Sequence, residues 1–477
     1  MSRPLFIRNV EIGRRRCDLR IEDGFVSAID ARVPGQGDEM DGNGGALIPG
    51  LVDHHIHLFA LAAHADSVLL DDVTGFGELA ARIQAAARTR PAGAWIRATG
   101  YHERMAGELD RHALDALAPR HKLRIQHQTG SLWIFNGLAL EALGAHDLPS
   151  ALERGTSGRP TGRLWRGDAW LRERIGGDAP PLAGVGRDLA RCGVTGVTDA
   201  TVGTDAAAAA LLAAAHRAGD LPQRLMLMSG GPLEPPKDAA FAVGPVKILL
   251  DDHALPSFDV MIETILSARR WGRRVAVHCV TAGELAITLA AFQAAGSEVG
   301  DRIEHGGVIP AAAIAQIKAL GLTVVTQPAF VRERGDRYLA EVPANEHGDL
   351  YRCASLIAAG VAVAGSSDAP YASPDPWRGV ATAVDRLTRG GRTLGAGERI
   401  AASRALALYL GDPASPGASQ RRVRAGVLAD LCLLDAPLAD ALRYPSAERV
   451  AATIIRGSVV WAREGLGAPA RTAMTSG

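Results

Sequence analysis

Six residues that are spread over positions 55–368 of the sequence are of the types that build a metal-activated hydrolytic centre. Imidazole and carboxylate side chains bind divalent metal ions, and such an ion activates water for attack on a carbonyl. Each of the six lies at the carboxyl end of a predicted strand, and the strand ends at one rim of a parallel barrel converge in space. The residues are His55, His57, Lys247, His278, His305 and Asp368.

The first two histidines lie in the segment PGLVDHHIH at positions 49–57. Side chains two residues apart on an extended chain point to the same side, so His55 and His57 can bind one ion together. The alternative is a pair of polar residues at the start of a loop. The Pro-Gly-x-x-Asp sequence before the histidines favours the metal site.

Lys247 lies in the apolar segment PVKILL. A buried ammonium is costly unless it is paired or chemically changed. One interpretation is an ion pair with Asp251 or Asp252, or a side chain that reaches the strand end. The other is a carbamate formed with carbon dioxide, which replaces the cation with an anionic bridge between two metal ions. The segment alone favours the paired or strand-end lysine, and the neighbouring histidines favour the carbamate.

Three further residues end later predicted strands. His278 in VAVHC and His305 in RIEHGG provide neutral imidazoles that suit zinc and similar ions, although each by itself could be a hydrogen-bonded core histidine. Asp368 in GSSDAP provides a carboxylate that can bind a metal and accept a proton from metal-bound water. Its alternative role is the N-cap of a helix before Pro370.

Short apolar strands that alternate with helical patterns place these residues and predict an α/β fold with a parallel sheet. The intervals suit one strand, one helix and two loops per unit, and eight units close into a (β/α)8 TIM barrel. The predicted barrel strands are 46–53, 194–201, 224–228, 246–251, 274–278, 302–305, 322–327 and 361–367.

Both ends of the chain have the pattern of β-structure. Turns at Asp23-Gly24 and at Arg456-Gly457 predict hairpins in the two terminal segments. We expect residues 1–50 and 407–477 to pair into one small β-sandwich domain that flanks the central body.

The barrel itself is predicted over residues 51–406, with a long insertion after its first strand. Segment 58–189 is too long for one crossover connection, so we expect a lid-like insertion that shapes substrate access. Arginines there favour a polar or carboxylate-bearing substrate, and tryptophans favour an aromatic or apolar group. The predicted substrate-binding residues, each of which could instead serve in packing, are Tyr101, Ser131, Trp133, Trp165, Arg166 and Tyr371.

The composition favours a small-molecule substrate. Lys plus Arg and Asp plus Glu each total 52, so no net charge attracts nucleic acid or an anionic membrane. No apolar run is long enough to span a bilayer, and the N-terminus has no signal-peptide pattern. The five cysteines are widely spaced, which indicates reduced thiols. We therefore expect a cytoplasmic protein with no nucleic-acid or membrane partner, and a homodimer as the default assembly.

In their order, the segments PGLVDHHIHL, VKILL, VAVHC, RIEHGG and GSSDAP resemble the metal-binding strand ends of the amidohydrolase superfamily. The resemblance covers nearly the whole chain and is strongest to the amidohydrolase 3, or YtcJ-like, branch, which includes N-substituted formamide deformylases. It implies four histidine ligands (His55, His57, His278 and His305), Lys247 as a carboxylated bridge between two zinc ions, and Asp368 as ligand and proton shuttle. The chain departs from the branch after Lys247, where DDHALP replaces a loop rich in glycine and serine.

These residues predict a metal-dependent hydrolase that cleaves a carbon–nitrogen bond, other than a peptide bond, in a small amide, formamide, cyclic amide or carbamate. Metal-bound hydroxide is the predicted nucleophile. Two alternatives are a lyase or isomerase that uses the same metal centre, and a binding protein without catalysis. Zinc, manganese, iron and nickel all suit these ligands.

Overall fold

The computed structural model describes residues 3–144, 149–175, 179–252 and 254–466. The chain forms two compact units, of which the first is Met1–Leu58 with Leu182–Gly477 and the second is Phe59–Pro181. Among the described residues, no helix has both the length and the apolar composition that a bilayer span needs.

Strands and helices alternate along most of the chain. The strands are β1 (Leu5–Ile12), β2 (Arg15–Glu22), β3 (Phe25–Asp30), β4 (Asp38–Asp41), β5 (Leu47–Pro49), β6 (Leu51–Ile56), β7 (Val68–Leu69), β8 (Trp95–Tyr101), β9 (Lys122–His127), β10 (Leu132–Phe135), β11 (Leu152–Arg154), β12 (Pro160–Trp165), β13 (Val194–Asp199), β14 (Arg224–Ser229), β15 (Ala242–Ile248), β16 (Val275–Cys279), β17 (Arg302–His305), β18 (Thr323–Thr326), β19 (Ala362–Gly365), β20 (Gly411–Asp412), β21 (Ser415–Gln420), β22 (Leu431–Leu434), β23 (Val450–Ile455) and β24 (Ser458–Ala462). The α-helices are α1 (Leu58–Ala65), α2 (Phe76–Thr89), α3 (Glu103–Ala106), α4 (Arg111–Leu117), α5 (Gly137–Ala142), α6 (Asp168–Ile175), α7 (Ala183–Arg191), α8 (Ala206–Arg217), α9 (Phe258–Arg270), α10 (Ala282–Ala295), α11 (Ile314–Ala319), α12 (Ala329–Glu341), α13 (Ala354–Ala359), α14 (Pro376–Asp385), α15 (Ala402–Ala407) and α16 (Leu438–Ala441).

Eight parallel strands form the barrel of the first unit, in the order β6-β13-β14-β15-β16-β17-β18-β19. Backbone hydrogen bonds join its two edges, from Asp368 N to His55 O at 2.8 Å and from His57 N to Ala369 O at 2.9 Å. Strands such as β13 and β18 are buried along their whole length, as expected where helices cover a parallel sheet. The predicted (β/α)8 barrel is confirmed.

The first predicted barrel strand, 46–53, is wrong as a single element. It is two strands in different sheets, since β5 pairs with β22 and β6 pairs with β13. Pro49 has no amide to donate, and at Gly50 the chain passes so close to β13 that a Cβ there would lie 2.0 Å from Cγ2 of Thr195. The chain therefore changes sheets at Gly50, just before the histidine pair.

The strands of the two chain ends form two four-stranded sheets, β3-β2-β1-β4 and β24-β23-β22-β5. Both sheets bury side chains in one core, for example Leu19 and Met40 from the first and Leu431 and Ile454 from the second. The hairpin turns fall where they were predicted, with positive φ at Asp23, Gly24, Arg456 and Gly457.

The second unit lies within the segment predicted as an insertion. Its six-stranded sheet has the order β11-β12-β10-β9-β8-β7, in which β7, β8 and β9 are parallel and the other pairs are antiparallel. Buried side chains on this sheet and its helices form two apolar clusters, one around Leu79, Ile96 and Ile125 and the other around Phe135 and Leu164.

Candidate metal centre

The barrel places all six predicted ligand residues at the carboxyl ends of its strands. His55 is in β6 and His57 follows it, Lys247 is in β15, His278 is in β16, His305 ends β17, and Asp368 lies three residues after β19. Of these side chains, those of His57 and His278 are partly buried and the other four are buried.

Asp368 is close to three of the histidines. Its Oδ1 lies 3.2 Å from Nε2 of His57 and 3.5 Å from Nε2 of His55, and its Oδ2 lies 3.7 Å from Nδ1 of His305. Ligand atoms around a tetrahedral zinc ion are about 3.3 Å apart, from bond lengths near 2.0–2.1 Å. Side-chain atoms of His55, His57 and Asp368 therefore have the spacing of a shared divalent cation.

The alternative role of Asp368 as a helix N-cap is wrong. The next α-helix, α14, begins at Pro376, and its N-cap is Asp375, whose carboxylate accepts the amide of Trp377. Asp368 itself has a φ of 55°, in the left-handed region that few residues other than glycine adopt. A strained backbone that directs a carboxylate towards histidines is typical of a functional site.

The four histidines form one connected group of rings. The ring centroid of His55 is 5.3 Å from that of His57 and 4.8 Å from that of His305, and the centroids of His278 and His305 are 4.5 Å apart. Burial, followed by neighbouring positive charges, lowers the pKa of His55 and of His305 well below the usual value. These two imidazoles are therefore neutral at neutral pH, which is the form that binds metal.

Lys247 is only 4% exposed, and its Nζ has no hydrogen-bond partner among the described residues. Burial lowers its pKa to about 8, against the opposing charges of Glu304 and Asp368. The hydrogen bond to Asp251 or Asp252 that the first interpretation needs is absent, and Asp252 instead accepts from Oγ1 of Thr281 at 2.8 Å. An unpartnered buried amine beside carboxylates and imidazoles fits a site that is completed by a bound group.

The amidohydrolase 3 family model, described as the amidohydrolase family, matches residues 38–461. The chain belongs to the amidohydrolase family. It is 26% identical over 473 residues to the N-substituted formamide deformylase of Arthrobacter pascens, with 86% of each chain covered. It is 24% identical over 438 residues to YtcJ of Bacillus subtilis (strain 168), a relative named as an amidohydrolase, with 79% of this chain and 82% of YtcJ covered.

In fold, the chain is similar to an uncharacterized metal-dependent hydrolase from Pyrococcus horikoshii. The TM-score is 0.72 at 20% identity, and the match covers 91% of this chain and 97% of that one. Membership of the family confirms the predicted branch and the prediction that the chain is an amidohydrolase.

Hydrogen bonds around the centre of this amidohydrolase hold the imidazoles by their Nδ1 atoms. Nδ1 of His57 is 3.0 Å from Oγ1 of Thr201, and Nδ1 of His305 is 3.0 Å from Oε1 of Gln327. Nδ1 of His55 donates to Oε2 of Glu304. An oxygen acceptor at Nδ1 leaves the lone pair on Nε2, which is the arrangement usual for metal-binding histidines.

Sequence reasoning missed these supporting residues. Glu304 is fully buried, and its carboxylate also lies 2.5 Å from Nε of the buried Arg302. A glutamate within the buried strand RIEH was the available signal, because such a charge needs a partner. Thr201 and Gln327 carried no comparable signal, since both are uncharged and lie just after ordinary strands.

Of the predicted substrate-binding residues, Tyr371 lies in the same unit as the centre. Its ring centroid is 5.9 Å from that of His57, with the rings nearly perpendicular. Its backbone oxygen accepts from Nη2 of Arg334 at 3.0 Å. Tyr371 is thus within reach of a molecule that contacts His57.

The other five predicted substrate-binding residues belong to the second unit. Tyr101 and Trp133 are buried in its apolar clusters, and Oη of Tyr101 donates to the backbone oxygen of Gly107. Trp165 is 44% exposed, and Arg166 is exposed with a φ of 50°. Ser131 is partly buried, with its hydroxyl 2.7 Å from that of Thr129. Their roles in substrate binding stay predictions.

Proposed function

We propose that this amidohydrolase cleaves the carbon–nitrogen bond of a small amide, formamide, cyclic amide or carbamate at the barrel centre. The observation that carries the proposal is the position of the Asp368 carboxylate, 3.2 to 3.7 Å from the nitrogens of three histidines. The formamide class has additional support from the relative in Arthrobacter pascens, which is named for that activity.

Two divalent ions of the zinc class would be held by the four histidines, Asp368 and a carboxylated Lys247. When bound, such ions lower the pKa of water towards about 7 and polarise a carbonyl oxygen. Nitrogen ligands from neutral imidazoles and oxygen ligands from carboxylates suit zinc, with manganese, iron and nickel as alternatives.

Carboxylation of Lys247 accounts for its unpartnered amine. The neutral amine attacks carbon dioxide, so that a nitrogen–carbon bond forms and one C=O π bond breaks with its electron pair moving to oxygen. The nitrogen then releases a proton to solvent, which gives a carbamate. Because the pKa of Lys247 is about 8, part of the amine is neutral near physiological pH. Little free energy is therefore needed to deprotonate it before it reacts. The product has one negative charge shared by two oxygens, in place of a buried amine that has no hydrogen bond.

Asp368 is the proton-transfer group in this proposal. Its carboxylate accepts a proton from the attacking water and passes it to the departing nitrogen, which then leaves as a neutral amine. Two features suit it to both steps: it follows the last barrel strand, and it is only 6% exposed. Glu304, Thr201 and Gln327 keep the imidazoles oriented while the proton moves.

On the substrate side, Tyr371 is the predicted substrate-binding residue that belongs to the barrel unit, and its ring lies edge-on to that of His57. Among the predicted residues of the second unit, the exposed Trp165 and Arg166 are the first to test for substrate contacts. A cytoplasmic location and a homodimer complete the proposal.

The test is a hydrolysis screen over N-formyl amines, cyclic amides and carbamates with metal-replete and chelated enzyme in ¹⁸O-labelled water. We expect at least one class to yield an amine together with a carboxylate or carbon dioxide that carries the label, only in the metal-replete enzyme. Turnover without label in the product would instead indicate a lyase or isomerase, and turnover by the chelated enzyme would contradict the proposal.

A further inference from the structure

A second group of metal-binding side chains lies in the second unit, at the ends of two neighbouring strands. His102 and Glu103 directly follow β8, and His127 is the last residue of β9. The strands β8 and β9 are parallel, and Tyr101 is paired with His127. Carboxyl ends of parallel neighbours meet at one edge of a sheet, so the sequence brings all three side chains together there.

The separations of the side-chain atoms match those around a metal ion. Oε2 of Glu103 lies 3.2 Å from Nε2 of His127 and 3.6 Å from Nδ1 of His102. Ligand atoms around a tetrahedral ion with bonds of 2.0–2.1 Å are about 3.3 Å apart. One ligand atom from each of the three residues lies within 4.8 Å of the other two.

The charges also suit a divalent cation. Glu103 supplies a carboxylate oxygen that lies between the two imidazoles, and an anionic oxygen of this kind is a usual ligand of a divalent cation. The three side chains are 21%, 34% and 12% exposed in sequence order, which leaves the group open to an ion from solution.

The existing hydrogen bonds distinguish the two histidines. Nδ1 of His127 is 2.8 Å from Oγ1 of Thr129 and 3.2 Å from the backbone amide of Thr129. When Nε2 of His127 binds a metal, Oγ1 of Thr129 can accept a hydrogen bond from the protonated Nδ1. Nδ1 of His102 accepts a hydrogen bond from the backbone amide of Arg104 at 3.1 Å. A metal at this nitrogen would compete with the amide for the same lone pair. His127 is thus the stronger imidazole ligand and His102 the weaker.

We propose that His102, Glu103 and His127 form a second metal site that takes a divalent ion of the zinc class, with solvent completing the coordination. Two imidazoles and one carboxylate are a common protein ligand set for zinc. The site is made only of residues of the second unit, and it does not depend on the activity of the barrel centre. A bound ion would tie the ends of β8 and β9 together.

The experiment is equilibrium dialysis of metal-replete enzyme against micromolar Zn²⁺, followed by metal analysis. The variants are His127→Gln, His102→Gln and Glu103→Gln, and the matched control is His112→Gln, which alters an exposed histidine of the same unit. We expect wild type and the control to hold one more equivalent than His127→Gln and Glu103→Gln. His102→Gln should retain the ion with weakened affinity.

Equal stoichiometry and equal affinity in all five proteins would overturn the proposal. Because Glu103→Gln preserves the size of the side chain and an oxygen that can accept from His127, it tests the site even if His127→Gln fails to fold. Circular dichroism of each variant checks that the fold is retained.

Discussion

Glu304 accepts the Nδ1 proton of His55, and both side chains are almost completely excluded from solvent, at 0% and 1% exposure. The hydrogen bond fixes the ring so that Nε2 of His55 faces Asp368, 3.5 Å away. Strand β17 thus supplies a predicted ligand, His305, and also Glu304, which orients the predicted ligand His55 of β6. Glu304 is a positioning residue for the centre.

Replacing Glu304 by glutamine should weaken metal binding. The neutral amide of glutamine accepts a hydrogen bond from His55 less strongly than the carboxylate does. Loss of a hydrogen-bond partner of a metal-binding histidine typically lowers metal affinity by about 10- to 100-fold. Competition with a metal-binding dye measures the affinity. Because the change also leaves the buried Arg302 without its carboxylate, the matched control is Asp301→Asn, which weakens another buried ion pair, with Arg269. Unchanged affinity in Glu304→Gln would remove its assigned role.

Replacing Asp368 by asparagine should slow turnover by about 10²- to 10⁴-fold, the usual contribution of a general acid-base group. The amide can still occupy the space beside His57, but it cannot carry a proton from water to the leaving nitrogen. Steady-state turnover per bound metal separates loss of catalysis from loss of metal. Asp412→Asn, at the end of β20, is the control. Near-normal turnover in Asp368→Asn would exclude the proton-transfer role.

Replacing Lys247 by methionine should separate stability from metal binding. The metal-free variant should unfold at the same temperature as wild type or a higher one, because a buried amine without a hydrogen bond has gone. The metal-loaded variant should hold at least one equivalent less, since the carbamate bridge cannot form. Thermal unfolding and metal analysis test the two parts, with Lys318→Met as control. Full metal content in Lys247→Met would contradict the bridge.

Replacing Gly50 by alanine should destabilise the first unit by about 1–3 kcal/mol, the usual cost of overpacking. The new Cβ would lie 2.0 Å from Cγ2 of Thr195, where the chain passes from the terminal sheet into the barrel. Gly184→Ala in α7 is the matched control, because a Cβ there meets nothing within 4 Å and should stabilise the helix by about 0.4–1 kcal/mol. Urea unfolding measures the free energy of unfolding of both variants. If Gly50→Ala were as stable as wild type, the prediction would be contradicted and the structure around Gly50 would be able to relax.

The sequence was sufficient for the barrel and for the residues at its strand ends. Buried parallel strands are short apolar runs, so a polar residue that ends such a run is conspicuous, as His278 and Asp368 are. It was not sufficient to divide 46–53 between two sheets, because Leu47 and Leu51 have the same apolar character. The division depends on the close approach of Gly50 to Thr195, a contact between distant segments.

The supporting hydrogen bonds could not be derived in the same way. Strict alternation along β17 would place Glu304 and His305 on opposite faces, but His305 has a φ of 70° and departs from extended geometry. Both residues therefore reach the centre. The pairing of Gln327 with His305 depends likewise on the register of β17 against β18, which no local pattern encodes.

Anomalous diffraction at the absorption edge of zinc, from crystals of zinc-loaded enzyme, tests the central claim most directly. The account predicts strong peaks bounded by His55, His57, Asp368 and Lys247, with density for a carboxyl group that extends from Nζ of Lys247. Absence of any peak among these four residues in protein that contains zinc by metal analysis would contradict it.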